Sequence, residues 1–246
     1  MYLNKYRREQ LLKAEQKIST ACGLRCVQLL GKLADFALSL LLHFIQHLTK
    51  SPMTISQACL DQLFFNARTA NGFIDKAVPL ALLQQAYDIA KLGATSMNAQ
   101  PARYVFLNSP ESRARVIPAL SPGNVEKTKV APVTVIVATD TRFYENMPLV
   151  WHDAGAEKMF ADNAALAEST ATRNGTLGAA YFMLAARAVG LSCGPMSGVN
   201  LAKVDAEFFA DGRFKTNFLI NLGYGDDSKL FARNPRLSFD QACTVL

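Results

Sequence analysis

The run TRNGTLGAAYFMLAARAVGL, residues 172–191, limits the fold more than any other stretch of the chain. Its apolar side chains recur at helical spacing, and Gly178, Ala179 and Ala180 are small enough for another helix or backbone to approach closely. A helix of that kind belongs at the centre of a molecule. It stops at Gly190 and is followed by LSCGPMSGVN, which reads as a loop exposing backbone at Gly194, Pro195 and Gly198.

Three strands are expected around this helix: RYVFLN (103–108), the β-branched PVTVIVATD (132–140) and KTNFLINLGYG (215–225). Helices are expected over 109–120, 153–168 and 201–210, and a polar loop, SPGNVEKTKVA, over 121–131. Two helices precede them. One covers 55–68 with Thr54 or Ser56 as its cap, and the other runs from Pro79 to Gly93. FARNPRLSFDQACTVL (231–246) reads as a tail. Half of the 246 residues are apolar, so a sizeable core can be buried, and this order suits one sheet with helices on both faces.

Residues 1–52 differ in character. The charged block KYRREQLLKAEQK leads into CVQLLGKLADFALSLLLHFIQHL, whose apolar run is broken by Lys32, Asp35, His43 and His47. The uninterrupted part is far shorter than the roughly 20 residues of a membrane span. A helix packed on a partner is the favoured reading, with membrane-surface contact of residues 21–48 as the alternative. Ser51-Pro52 breaks the segment, so the domains are expected to be an appendage over 1–52 and a main domain over 53–246. The net charge of +6 suits anionic ligands, but much of it sits in this appendage, and there is no basic-aromatic stripe, so nucleic acid is not indicated. Five scattered cysteines argue for reduced thiols in the cytoplasm. Cys22 and Cys26 lack a second pair, and His43 and His47 read as helix-surface histidines, so no metal site is expected.

The chemistry begins at ATSMNAQPARYVF (94–106), a short loop between helix and strand. Ser96, Asn98 and Gln100 at alternate positions read as hydrogen-bonding groups facing one planar polar ligand, of which a flavin is the best example. ARTANGF (67–73) supplies Arg68, Thr69 and Asn71 on a short turn, donors that match a phosphate or form an ordinary helix exit.

Five pieces in order resemble the FMN-dependent nitroreductase family: ARTANGF, ATSMNAQPARYVF, the Asn124–Lys127 segment running into a valine-rich strand, GAAYFMLAARAVGLSCGPMSGVN, and NLGYG with RNPRL. The resemblance covers about residue 54 to the end. It implies an α+β nitroreductase-like fold: a central mixed, mainly antiparallel sheet flanked by helices, in an intertwined homodimer with each flavin between two subunits. By position, Arg68, Thr69 and Asn71 would grip the FMN phosphate and ribityl chain, with Arg236, helped by Arg233, closing the phosphate site. The family's usual second basic residue is replaced by Asn71. Ser96, Met97, Asn98 and Gln100 would reach the flavin of the neighbouring subunit. Asn124 and Lys127 would meet the pyrimidine edge of the ring, and Pro195, Met196, Ser197 and Gly198 would cover it. Many members carry an acidic residue where Ser197 stands, which bears on hydride donor and substrate.

Within the family the segments look most like the branch that reduces malonic semialdehyde to 3-hydroxypropionate in pyrimidine degradation. The implied activity is that of a flavoprotein oxidoreductase using NADH or NADPH, with no catalytic side chain beyond the flavin itself. A broad nitroaromatic or quinone reductase is one rival reading, and a non-catalytic flavin- or partner-binding module is another. Arg103 is a candidate for attracting a substrate carboxylate, with a structural role at the strand edge as the alternative.

Overall fold

A computed structural model describes residues 54–246 together with the single residue Lys13. The expectations placed on the appendage, on Cys22 and Cys26, on His43 and His47 and on surface contact of 21–48 lie outside the described residues. The chain divides into two units, Met1–Ile55 and Ser56–Leu246, and the second carries everything that follows.

Helix α1 (Gln57–Leu60) is capped by Ser56, whose Oγ accepts from the Cys59 amide at 3.3 Å, and widens into a π-turn at Asp61–Phe65. Helix α2 (Leu80–Ala90) follows and buries Leu83, Ala86 and Ala90, one stripe at helical spacing. Strand β1 (Ala102–Leu107) and helix α3 (Pro110–Ala114), started by a Ser109/Ser112 capping box, come next. Residues 122–130 are a helix, α4 (Pro122–Val130), where a polar loop was expected. Pro122 opens it at the first helical position, a placement its fixed φ favours. Thr128 is its one buried residue, so no apolar periodicity advertised it.

Strand β2 (Val133–Asp140) is buried throughout. Helices α5 (Met147–Val150), α6 (Ala156–Ala161) and α7 (Ala164–Ala188) follow, with Asn163 accepting from the Leu166 amide at 3.0 Å to start α7 afresh. That cap divides the single helix expected over 153–168. Helix α7 ends at Gly190, which takes φ 87°, a conformation open to glycine without a Cβ penalty. Residues 192–196, expected as loop, form strand β3 (Ser192–Met196). Glycine and proline disguised it, yet it lies at a sheet edge, where a proline is tolerated. Helix α8 (Leu201–Phe208), strand β4 (Phe214–Gly223) and the short α9 (Phe239–Ala242) complete the chain.

The sheet order is β1-β2-β4-β3 and all three ladders are antiparallel. The parallel component among the described residues is an isolated bridge of Thr69 to Cys193. Strand alternation divides the core into two layers. Val133, Val135, Val137, Ile220 and Leu222 meet α2 and α7 on one face, while Ile136, Ala138, Leu219 and Met196 meet Val116, Val204 and Phe209 on the other. The small residues of α7 admit both another helix, since Ala179 and Ala186 share a core with Ala86 and Ala90 of α2, and the strands. A Cβ on Gly175 would lie 2.6 Å from the Thr139 hydroxyl, and one on Gly178 would lie 3.0 Å from the Cβ of Ala102.

Candidate functional site

The ARTANGF segment lies against the edge strand β3. The Ala70 amide donates to the Cys193 carbonyl at 2.9 Å, and the Ile74 amide to that of Tyr224 at 3.0 Å. Gly194 makes this approach possible, since a Cβ there would sit 2.5 Å from the Ala70 carbonyl oxygen. Arg68, Thr69 and Asn71 are thereby fixed beside the strand that leads to Pro195–Gly198.

Helix α4 closes on the other end of the same strand. The Asn124 Nδ2 donates to the Gly198 carbonyl at 2.8 Å, and the Ser121 amide donates to the same oxygen at 2.9 Å. A Cβ on Gly198 would lie 2.7 Å from Asn124 Nδ2, so a larger residue there would displace the Asn124 amide from its bond. Asn124 and residues 196–198 are therefore one assembly, with Ser197 exposed beside it. Lys127 follows one turn later, half-buried and without a carboxylate partner among the described residues. Burial pushes its ammonium below the usual lysine range, since the charged form loses water and gains no counter-ion.

The tail returns to the first segment. Arg68 Nη2 donates to the Phe231 carbonyl at 2.6 Å, and Arg233 Nη2 donates to that of Phe65 at 2.7 Å. Arg68 also lines a cavity of about 200 Å³ with Ala70, Arg187, Ser192 and Asp227. Arg236, by contrast, donates to the carbonyls of Asn234 and Pro235 just before it, and no described contact brings it to Arg68. Asn71 donates to the Thr69 carbonyl at 3.4 Å.

The 95–100 loop stands apart from this assembly within one chain. Met97, Asn98 and Gln100 all take positive φ (51°, 51° and 43°), a rare conformation outside glycine that surrounding bonds must hold. Asn174, buried on α7, accepts from the Ser96 amide at 2.8 Å and donates to the Thr170 carbonyl. Asn98 donates to the Val150 carbonyl at 2.9 Å, and Arg103 donates to that of Gln100 at 2.8 Å. Sequence reasoning missed Asn174. Its one signal is a lone amide side chain on the buried face of an otherwise small-residue helix. A cavity of about 490 Å³ adjoins the loop, lined by Tyr87, Thr95, Gln100, Tyr104, Asn174 and others, and none of Asn124, Lys127 or 195–198 reaches it.

Arg103 is committed elsewhere: its Nη2 meets Asp140 Oδ2 at 2.8 Å. Asp140 is 1% exposed and also accepts from Arg213 Nε at 2.7 Å. Arg103 thus braces the loop, with its charge compensated. His152 is exposed and tilts against Trp151. Among the described residues no group of three or more His, Cys, Asp or Glu side chains could hold a metal ion, and no helix is long and apolar enough to cross a membrane.

The assembly supplies cationic groups with no carboxylate partner among the described residues (Arg68, Arg233 and Lys127), neutral amides, and glycines that let neighbouring segments come close, while Arg236 stands outside it on the tail. Such a donor set fits a ligand with a phosphate at one end and a planar polar ring at the other.

Comparison with known proteins agrees with this chemistry. The profile described as "Nitroreductase family" matches residues 66–224. A Burkholderia lata protein provisionally named an NADH dehydrogenase/NAD(P)H nitroreductase is 54% identical over 192 residues, which cover 78% of this chain and 98% of that protein. A Stenotrophomonas maltophilia protein with the same provisional name is 52% identical over 191 residues, 78% of this chain and 97% of its own. Among solved structures, a nitroreductase from Exiguobacterium sibiricum in complex with FMN superposes with TM-score 0.68 at 18% identity, covering 80% of this chain and all of that one. One from Bacillus subtilis gives 0.67 at 20%, covering 78% of this chain and all of that one. The structural likeness is one of fold, and the chain belongs to the nitroreductase family.

Proposed function

We propose that the protein is an FMN-dependent NAD(P)H oxidoreductase that reduces malonic semialdehyde to 3-hydroxypropionate. The observation that carries the flavin reading is the assembly of α4 with the end of β3. It holds Asn124 on the Gly198 carbonyl and leaves Lys127 half-buried without a counter-ion among the described residues. Bound FMN would supply the hydride relay, accepting from NADH or NADPH and passing to a second substrate in the same space.

The chain's own groups have distinct tasks. Lys127 places a positive charge where negative charge develops on the reduced ring, and partial desolvation strengthens that interaction. Arg68 and Arg233, with Arg236 from the tail, hold the phosphate by charge-assisted hydrogen bonds. Ser197, neutral and exposed, sets no negative charge beside an anionic aldehyde acid. Ser96, Met97, Asn98 and Gln100 serve the flavin of a second subunit. Large exposed apolar side chains support that homodimer, with Leu149 at 86%, Leu92 at 81% and Phe231 at 75% exposure.

The names of the relatives favour a second reading, a broad nitroaromatic or quinone reductase. The visible spectrum of the purified protein comes first: a colourless chain that takes up no added FMN defeats both. Steady-state turnover of malonic semialdehyde against a nitroaromatic, each with NADH and with NADPH, then separates them. Equal or better nitroaromatic turnover overturns the aldehyde assignment.

A further inference from the structure

Three polar side chains are wholly buried on the sheet face that carries α4. Thr128, Thr134 and Asn221 are each 0% exposed. They form a directional chain in which each side-chain donor is used. The Thr134 hydroxyl donates to Asn221 Oδ1 at 2.8 Å, Asn221 Nδ2 donates to the Thr128 hydroxyl at 3.0 Å, and that hydroxyl donates to the Met196 sulfur at 3.8 Å. The chain therefore runs from β2 through β4 to α4 and ends on the last residue of β3.

Stability alone does not account for it. A buried hydrogen-bonded pair contributes little net free energy, and apolar replacements of matching shape are often neutral. What a satisfied buried network does provide is one arrangement of the segments it joins. Here the segments are those that carry the candidate flavin contacts. Helix α4 is tied to 196–198 at its first turn by Asn124 on the Gly198 carbonyl, and one turn later by Thr128 on Met196. Two ties a turn apart fix both the rotation and the advance of the helix along the strand end. Lys127 lies between them in sequence. Asn221 also backs β3 directly, since its Cβ lies 3.6 Å from the place a Cβ on Gly194 would occupy.

We infer that Thr128 and Asn221 are positioning residues of the cofactor site, the Thr134–Asn221–Thr128–Met196 chain setting where Lys127 stands relative to the segment that covers the ring. The inference rests on the proposed placement of Lys127 at the flavin. A polar chain kept for this purpose controls how much more tightly the site holds reduced than oxidised flavin, and it leaves phosphate binding unchanged.

The test is the two-electron midpoint potential of the FMN-loaded protein, measured with FMN affinity and thermal midpoint for Thr128→Val, Thr128→Ser, Thr128→Val/Asn221→Leu and Lys127→Met. Thr128→Val keeps the side chain's shape and removes the hydroxyl. It should lower the preference for reduced FMN by roughly tenfold, about 30 mV for a two-electron couple. Thr128→Ser, which restores the hydroxyl, should return the potential to the original value. The double variant leaves no orphaned amide and only the Thr134 hydroxyl without its acceptor, so it should fold with a lowered thermal midpoint and still show the lowered potential. A potential unmoved in Thr128→Val and in the double variant, while Lys127→Met lowers it, reduces the chain to a packing element and overturns the inference. If Lys127→Met itself leaves the potential in place, the placement of Lys127 is wrong and the inference falls with it.

Discussion

Adding one methyl group at Gly194 tests the coupling between edge strand and cofactor segment. In Gly194→Ala the new Cβ would sit 2.5 Å from the Ala70 carbonyl oxygen, and the obstacle is backbone, not the far end of a flexible side chain. The segment must retreat before even a 3.0 Å contact is reached, and the 2.9 Å bond from the Ala70 amide to the Cys193 carbonyl is strained as it does so. Overpacking of this kind costs about 1–3 kcal/mol. Loss of the hydrogen bond adds about 1 kcal/mol. The reduced entropy of the unfolded chain returns about 0.4–1 kcal/mol. A net loss of about 2 kcal/mol lowers the thermal midpoint of a domain this size by roughly 4–8 °C. Gly123 provides the control, because nothing lies within 4 Å of a Cβ built there and it occupies the first turn of α4. Gly123→Ala should raise the midpoint, by about 0.5–1 kcal/mol of stability. Both are read by calorimetry on flavin-free protein, with FMN affinity followed by quenching of its fluorescence. Displacement of Thr69–Asn71 should weaken FMN binding at least several-fold in Gly194→Ala and leave it unchanged in Gly123→Ala. Equal melting and equal FMN affinity in the two variants would refute the claim that backbone contact at Ala70 builds the site.

Arg68→Ala and Arg233→Ala should each weaken FMN binding by about 1.5–3 kcal/mol, the range for a charge-assisted hydrogen bond, as measured by equilibrium titration; unaltered affinity removes either residue from the phosphate site. Asp140→Asn should destabilise the fold by about 2–4 kcal/mol in urea denaturation, at or below the usual cost of removing one partner of a buried pair, because the Arg103 and Arg213 side chains keep 30% and 21% exposure. Burial pushes the Cys193 thiol up to about 12, so in native protein at pH 8 it should escape alkylation that labels Cys59 and Cys243, as seen by peptide mass spectrometry. The same shift bears on alkaline stability. Above pH 9 the unfolded thiol ionises while the folded one stays protonated, so the protein loses stability as pH rises from 9 toward 12, and Cys193→Ala, which has no thiol, should not show that loss in denaturation measured across the range. Deleting residues 1–52 should leave FMN binding intact, since the candidate site described here draws on residues after 67; loss of flavin on that truncation would move the domain boundary.

Strand β2, helix α2 and the long helix α7 were legible in the sequence because local chemistry decides them: an unbroken β-branched run, an apolar stripe at helical spacing, a glycine stop. The order of five short segments was enough to identify the family, since each carries a local glycine, proline and amide pattern that can be read without the rest of the fold. Two elements of the site were misread for one physical reason. Helix α4 buries Thr128 alone and β3 is written in glycine and proline, so neither carries an apolar period, and each takes its form from what packs on it. The same holds for Asp140, Asn174 and Asn221, polar side chains that each have a partner far off in sequence, 37, 78 and 87 residues away. The sequence by itself determined which chemistry the chain carries: its arginines, the lysine that follows Asn124 and its short amide-rich loop. Only the tertiary structure decided which of these meet. Arg68 joins the tail at Phe231, Arg233 reaches back to Phe65, Asn124 joins Gly198, and the 96–100 loop stays apart within one chain. Close approach of the Ala70 backbone at Gly194 and of the Asn124 side chain at Gly198 is a property of two segments at once, and neither segment alone encodes it.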